Sequence, residues 1–289
     1  MKHIIKTRIF KMLSLLPNRL GYSLYHFLQD KSSKLTVESK IQSTYSTYMS
    51  VVRILQKNNI NLEGTRIAEL GSGWTPIFPY QLILEGNAKR VDTYDINEHY
   101  NLKQIKKLND YYSNSYNGTV EIENKGKYPL LNAVTYFPKT NICNGKFEDI
   151  DMVLSRFVLE HVSPNEIIEI HDFLFSNLKS GSYVLHLISP SDHRAYGDDS
   201  LSLQDFLKYS EKEWNQIQTK FDYHNRLRLP QYLALFKNKF EILFFEHDKI
   251  NIDSKGYEKF KELTIHEDFR KYSDEELIAG SVNILLKKK

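Results

Sequence analysis

Ala68-Glu-Leu-Gly-Ser-Gly-Trp-Thr-Pro76 is the stretch on which the reading of this 289-residue chain turns. It overlaps Arg66-Ile-Ala-Glu-Leu70, a short apolar run that reads as a strand, and it leads into Pro79 to Glu85, which reads as a helix. Two glycines at the strand end, Gly71 and Gly73, permit a tight turn and let a ligand approach the backbone closely. The helix that follows points its free N–H groups into the same space. A dinucleotide-binding turn carries a third glycine three residues on. Here that position is Pro76, a residue suited to a first helical turn. Glu69 adds a carboxylate that repels a pyrophosphate and attracts an ammonium or sulfonium group. The next strand, Arg90-Val-Asp-Thr-Tyr94, ends at Asp95. A carboxylate in that place accepts both hydroxyls of a ribose, so Asp95 predicts a nucleoside without saying which one. Glu69 and Pro76 make that distinction.

Working outward, strands and helices alternate. Thr44 to Lys57 carries Tyr45, Tyr48, Met49, Val52 and Leu55 at helical spacing. Ala133 to Phe137 reads as a third strand and Asp151-Met-Val-Leu154 as a fourth. Asn165 to Leu178 is an amphipathic helix begun by Ser163-Pro164. Ser182 to Ile188 is a fifth strand, and Phe240 to Phe245 and Ser281 to Leu286 supply two late ones. This order predicts an α/β sheet, mostly parallel, with helices on both faces. The stretch from Ser189 to Tyr232 breaks the alternation. It is long, polar and aromatic, and it follows the fifth strand, where such sheets open their ligand crevice; it reads as a lid. Before all of this, Met1 to Leu16 and Tyr22 to Leu28 read as basic amphipathic helices. The division is then an N-terminal helical arm, 1–60, and a catalytic domain, 61–289, with the lid at 189–232.

Composition narrows the field. Hydrophobic residues make up 41% and charged residues 26%, the balance of a globular protein, and the net charge of +3 argues against a nucleic-acid partner. Cys143 is the single cysteine, no CxxC pair or His-Glu-x-x-His is present, and the Asp198-Asp199 pair reads as solvated, so no metal is expected. Lys11 and Pro17 interrupt the apolar residues near the N-terminus, which removes a signal peptide and leaves a cytoplasmic chain as the expectation. The arm can pack on the body, join a twin subunit as a homodimer, or lie on an anionic membrane surface.

Glu69-Leu-Gly-Ser-Gly73, Asp95 and the post-strand segment Leu154-Ser-Arg-Phe-Val-Leu-Glu-His161 together resemble the class I S-adenosylmethionine-dependent methyltransferases. The resemblance implies a Rossmann-like sheet of seven strands with the last antiparallel. It implies that Glu69, Gly71 and Gly73 line the methionine end of the cofactor, with Trp74 and Ser155 beside it, and that Asp95 holds the ribose. The adenine contacts fall to Asn141 and Ile142 after the third strand, where the family's plain aspartate is missing. A looser similarity, carried by Asp192-His193, Tyr196, Phe206-Leu-Lys-Tyr-Ser210, Trp214 and Asn225-Arg-Leu-Arg228, is to methyltransferases of bacterial surface-polysaccharide clusters. It implies a sugar hydroxyl of a glycan or its precursor, or another small molecule, as acceptor.

Methyl transfer from a sulfonium asks the protein to align the acceptor and exclude water, and a hydroxyl acceptor also needs its proton removed. His193 is the expected base, with Asp192 orienting it. Tyr196 and Trp214 can stack on a sugar ring, and Asn225, Arg226 and Arg228 can hold its polar groups; the alternative reading makes Trp214 a core anchor of the lid and the arginines surface charges. His161 reads as a residue bonding a loop carbonyl, and Arg156 as pairing with Glu160 or Asp151 or facing the crevice. Two rival functions share these residues: a nicotinamide-dependent oxidoreductase, and a non-catalytic cofactor-binding partner subunit of a glycan-assembly complex.

Overall fold

The computed structural model describes residues 3–32, 35–147, 149–237 and 239–289. Three helices come first, α1 (His3–Ser14), α2 (Asn18–Ser32) and α3 (Val37–Lys57). Then follow β1 (Arg66–Leu70), α4 (Ile77–Leu84), β2 (Arg90–Asp95), α5 (Leu102–Ser115), β3 (Ile122–Lys125), β4 (Tyr128–Leu131) and β5 (Val134–Pro138). The second half contains β6 (Met152–Arg156), α6 (Pro164–Asn177), β7 (Tyr183–Ile188), α7 (Glu211–Ile217), α8 (Leu229–Phe236), β8 (Phe240–His247), α9 (Lys255–Lys261), α10 (Asp274–Ile278) and β9 (Val282–Lys288).

Seven strands form one sheet in the order β5-β2-β1-β6-β7-β9-β8, and β3 and β4 form a separate hairpin. The first five are parallel, while β9 runs antiparallel to both β7 and β8. All seven expected strands are therefore present in one sheet. Because side chains alternate along a strand, each strand feeds two cores. Ile67, Leu154, Leu185 and Leu285 face a core shared with α3, α4 and α5, through Val51, Ile54, Leu82, Ile105 and Leu108. Ala68, Val153, Val184 and Ile284 face the opposite core, closed by Ile167, Ile170 and Leu174 of α6 and by Tyr232 and Phe236 of α8. The product is a three-layer α/β/α domain.

Local signals account for several element ends. α6 starts where Ser163-Pro164 predicts, and a reciprocal cap forms: Glu166 N donates to Ser163 Oγ at 3.3 Å and Ser163 N to Glu166 Oε2 at 3.1 Å. α3 begins two turns earlier than the spacing suggests. Thr36 Oγ1 caps it by accepting from Ser39 N at 3.2 Å, and Ile41 extends the buried stripe. α3 is thus a layer of the domain, joined to the main core by Ile41, Tyr48 and Val51. A third, smaller core gathers Phe206, Leu207 and Trp214 of the 189–232 segment with Phe260, Phe269 and Leu277.

The arm is fastened over the C-terminal ends of the strands by aromatic contacts. The Tyr25 ring stacks on Phe221 at 5.0 Å, Phe10 and Tyr22 pack around the same ring, and Tyr25 also reaches Trp74 at 6.2 Å. At the start of α1, His3 donates both its backbone N–H and its ring Nδ1–H to Asp198 Oδ2, at 3.0 and 2.9 Å. Among the described residues, no helix is long and apolar enough to cross a membrane.

Candidate active site

The turn after β1 is held in the left-handed region at both glycines, with φ of +83° at Gly71 and +62° at Gly73. Gly71 N donates to Tyr94 O at 2.8 Å, tying the turn to the end of β2. A Cβ on Gly71 would lie 2.4 Å from Val158 Cγ2, whereas a Cβ on Gly73 would meet nothing within 4 Å. Gly71 is therefore small for packing, and Gly73 borders open space. Asp95 closes the other side of that space. Its Oδ2 accepts from Ser72 N and Ser72 Oγ, each at 3.2 Å, and its Oδ1 accepts from Asn97 N at 2.8 Å. The carboxylate is fixed by the turn it faces. Trp74 stands beside it, its ring 4.8 Å from that of His99, whose Nε2 is 3.8 Å from Asp95 Oδ1.

Glu69 is buried at the floor. Residues 69 and 93 are register partners across β1 and β2, and Glu69 Oε2 accepts from Thr93 Oγ1 at 2.5 Å. Burial pushes its carboxyl up to about 7, against the pull of Thr93 and Arg156. It sits near the balance between charged and neutral, so a cationic ligand beside it favours the charged form. Arg156, at the end of β6, lies over the rings of Phe78 and Phe157 at 5.7 and 5.6 Å. It pairs with neither expected acid: Asp151 is taken by Arg66, and the opposite charge acting on Arg156 is that of Glu69. Phe157, with φ of +57°, is a strained non-glycine residue between Arg156 and the Val158 that contacts Gly71.

A second group of side chains stands beyond β6 and β7. The rings of His161, His193 and His224 lie 4.9 to 5.5 Å apart, edge to face. His161 Nδ1 donates to Tyr223 O at 2.8 Å, and the His193 ring stacks on Tyr196 at 5.0 Å, whose hydroxyl bonds to Ser189 Oγ at 2.9 Å. Glu160 is fully buried next to them. Its Oε1 accepts from Ser189 N at 3.3 Å, while its Oε2 has no partner among the described residues. Burial raises the Glu160 carboxyl to about 8 and lowers His193 to about 4, so desolvation opposes charge on both.

The structure redistributes several of the expected roles. Asp192 does not orient His193, because its two carboxylate oxygens are engaged by Arg194 at 2.6 to 3.1 Å and Arg194 N donates to it as well. Arg226 and Arg228 are buried fasteners. Arg226 donates to Phe206 O, Tyr209 O and Glu211, and Arg228 to Arg226 O, Leu277 O and Pro190 O. Asn225 Nδ2 donates to Leu159 O and Val162 O at 2.6 and 2.8 Å, stapling the 189–232 segment to the end of β6. Trp214 is a core anchor whose Nε1 donates to His224 O at 2.9 Å. All four are engaged within the protein, and the one donor of their side chains without a partner among the described residues, Arg226 Nε, is buried; of the expected acceptor-side residues, Tyr196 and His193 remain together. On the cofactor side, Ser155 is fully buried and its Oγ donates to His186 Nδ1 at 2.6 Å. Asn141 caps a helical turn by accepting from Cys143 N at 2.9 Å, and Ile142 is a core residue. Glu160 carries from the sequence only the expectation of an ion-pair partner for Arg156, and His224 carries none. The adjacency of Glu160 and His161 just past a strand end is the signal that could have drawn attention to the first; nothing in the spacing marks the second.

No family model matches the sequence, and no curated protein is similar enough to it to count as a relative. Solved structures do match. A chain described as a candidate sarcosine dimethylglycine methyltransferase from Galdieria sulphuraria aligns with a TM-score of 0.50 and 14% identity, over 86% of this chain and 87% of that one. Magnesium protoporphyrin IX methyltransferase from Synechocystis, solved with S-adenosylhomocysteine, aligns with a TM-score of 0.49 and 13% identity, over 93% and 95%. A candidate S-adenosylmethionine-dependent methyltransferase from Listeria monocytogenes gives 0.45 and 15%, over 82% and 97%. At such identities the likeness is one of fold. The sheet order, the antiparallel β9 and the Galdieria neighbour agree on the fold: it is Rossmann-like, of the kind that class I S-adenosylmethionine-dependent methyltransferases have.

Proposed function

We propose that this chain is an S-adenosylmethionine-dependent methyltransferase acting on the hydroxyl of a small-molecule acceptor, with a sugar of a bacterial surface glycan or its precursor as the favoured class. The observation that carries the reading is the pairing of Asp95, pinned at the end of β2, with the open space beside Gly73. A nucleoside fits there: the carboxylate accepts two ribose hydroxyls, the glycine admits the ligand to the backbone, and Trp74 supplies a ring wall. Glu69 and Arg156 offer one acidic and one basic group to a ligand end that bears both an ammonium and a carboxylate. When bound, the cofactor supplies a methyl group on a positively charged sulfur.

The acceptor lies on the side of His193. The Tyr196 ring, 62% exposed and stacked on His193, gives a sugar a flat apolar surface. His193, His161 and Glu160 are the groups that activate its hydroxyl. The 189–232 segment, stapled down by Asn225, and the arm, latched through Tyr25 and Phe221, exclude water from the crevice. The outer face of the arm exposes Ile4, Ile5, Met12, Leu15, Leu20, Leu24 and Phe27, and α1 carries Lys6, Arg8 and Lys11 with no acidic residue. That combination suits peripheral contact with an anionic membrane.

The test is turnover. Purified protein is incubated with S-adenosylmethionine and a panel of nucleotide-linked sugars, glycans and small hydroxylated molecules, and release of S-adenosylhomocysteine is followed together with gain of one methyl group by mass spectrometry. Transfer to one class, slowed about a hundredfold or more by His193→Ala with cofactor affinity retained, supports the reading. Full turnover in the variant removes His193 from the site.

A further inference from the structure

We propose that Glu160, His161 and His193 form a binding site for a divalent transition-metal ion at the acceptor end of the crevice. One ligand atom of each lies within 4.8 Å of the other two. Around a zinc ion bound at about 2.0–2.1 Å, tetrahedral ligand atoms stand about 3.4 Å apart. Closing the remaining distance takes small side-chain rotations, for which His161 is exposed and His193 half-buried.

Three features set this group apart from an ordinary polar cluster. The Glu160 carboxylate is wholly buried, its Oε2 has no partner, and it makes no ion pair among the described residues. A buried acid in that state either stays protonated or faces a cation. Second, His161 Nδ1 donates to the Tyr223 carbonyl, so its Nε2 carries the lone pair. An outward main-chain bond of this kind fixes the tautomer and ring orientation of a ligating histidine. Third, His193 Nε2 is buried without a partner among the described residues, and its ring is braced by Tyr196, itself held by Ser189. His224 stands behind both rings and lies outside the group whose ligand atoms come within 4.8 Å of one another.

Two imidazoles and one carboxylate suit zinc, iron(II), cobalt(II) or manganese(II), and they leave coordination positions open. The burial runs from Glu160 inside to His161 outside, so the group is reached from the exposed His161 side. An acceptor oxygen can fill one of the open positions. The role, though not the site, rests on the methyltransferase reading: a hydroxyl bound to the ion becomes acidic enough to release its proton to solvent at the exposed His161 edge. His161 and His193 then hold the ion rather than the proton.

The experiment is calorimetric titration of the full-length, chelator-treated protein with zinc chloride. It is repeated with cobalt(II), whose visible spectrum reports nitrogen and oxygen coordination, and each sample is then titrated with S-adenosylhomocysteine. One equivalent should bind to the wild type, and His161→Ala, His193→Ala and Glu160→Gln should each weaken binding about a hundredfold or more. S-adenosylhomocysteine affinity should change less than about twofold. His161→Ala carries the test if the buried Glu160→Gln variant fails to fold, because the His161 side chain is exposed. Absence of stoichiometric binding by zinc and cobalt, or binding unaffected by the His161 and His193 substitutions, overturns the site. Zinc bound without S-adenosylhomocysteine overturns the methyltransferase reading and leaves the metal site standing; the converse result does the opposite.

Discussion

At the scale of single residues, Gly71 and Gly73 look equivalent in the sequence and differ in the structure. Both need a left-handed backbone, but an added methyl group collides with Val158 at Gly71 and enters open space at Gly73. Gly71→Ala is therefore expected to cost about 2–4 kcal/mol of stability, from backbone strain plus the overpacking. Gly73→Ala should cost about 1 kcal/mol, from strain alone, and yet weaken S-adenosylhomocysteine binding, because its methyl group occupies ligand space. Chemical denaturation and calorimetry of the two variants separate these effects; equal losses of stability contradict the assignment. The arginines teach the reverse lesson. Arg226 and Arg228 read as acceptor-binding groups because a guanidinium fork suits the phosphate or carboxylate of a sugar, or else as surface charges. Both are buried, and the carbonyls that satisfy Arg228, Pro190 and Leu277, come from distant parts of the chain that no local pattern links to it.

Among elements, what was legible depended on whether the signal was local. The strands of the sheet announce themselves as apolar runs ended by glycine, aspartate or a turn, and α6 by Ser163-Pro164. α5 is hard to read because its buried stripe, Ile105, Leu108 and Tyr112, keeps helical spacing but is only three apolar residues in a mostly polar helix. The glycine turn and Asp95 could be located from sequence because strand ends carry them in order. Tyr196, three residues from His193, is local as well, whereas Glu160 and His161 are brought to His193 by the packing of β6 against β7. The arm shows both kinds of information. Its basic amphipathic character is local, whereas the aromatic latch of Phe10, Tyr22 and Tyr25 around Phe221 is tertiary. The exposed apolar face of the arm predicts sedimentation with vesicles rich in phosphatidylglycerol, lost on Leu15→Glu/Phe27→Glu or at high salt. Equal sedimentation of wild type and double variant contradicts membrane contact through this face.

For the molecule as a whole, a buried polar chain ties sheet to helix layer. Ser155 Oγ donates to His186 Nδ1, His186 Nε2 donates to His171 Nε2 at 2.9 Å, and His171 Nδ1 donates to Ile167 O at 2.7 Å. Since a carbonyl only accepts, these directions are the ones that satisfy every atom with both rings neutral. Burial lowers His171 from 6.5 to about 4 and His186 in the same direction. The unfolded chain then takes up protons below about pH 6.5 that the folded one refuses until about pH 4, so stability is fully present above 6.5 and falls as the pH drops through that interval. Urea midpoints across the range should show the decline, and a His171→Gln/His186→Gln variant should lose less; identical profiles contradict the neutral chain. The central claim concerns the crevice that this framework holds open, and calorimetric titration with S-adenosylhomocysteine, with NADH as control, tests it most directly. The account predicts one site for S-adenosylhomocysteine, none for NADH, and an affinity about ten- to a hundred-fold weaker in Asp95→Ala. Absence of binding, binding of NADH, or an unchanged affinity in Asp95→Ala contradicts it.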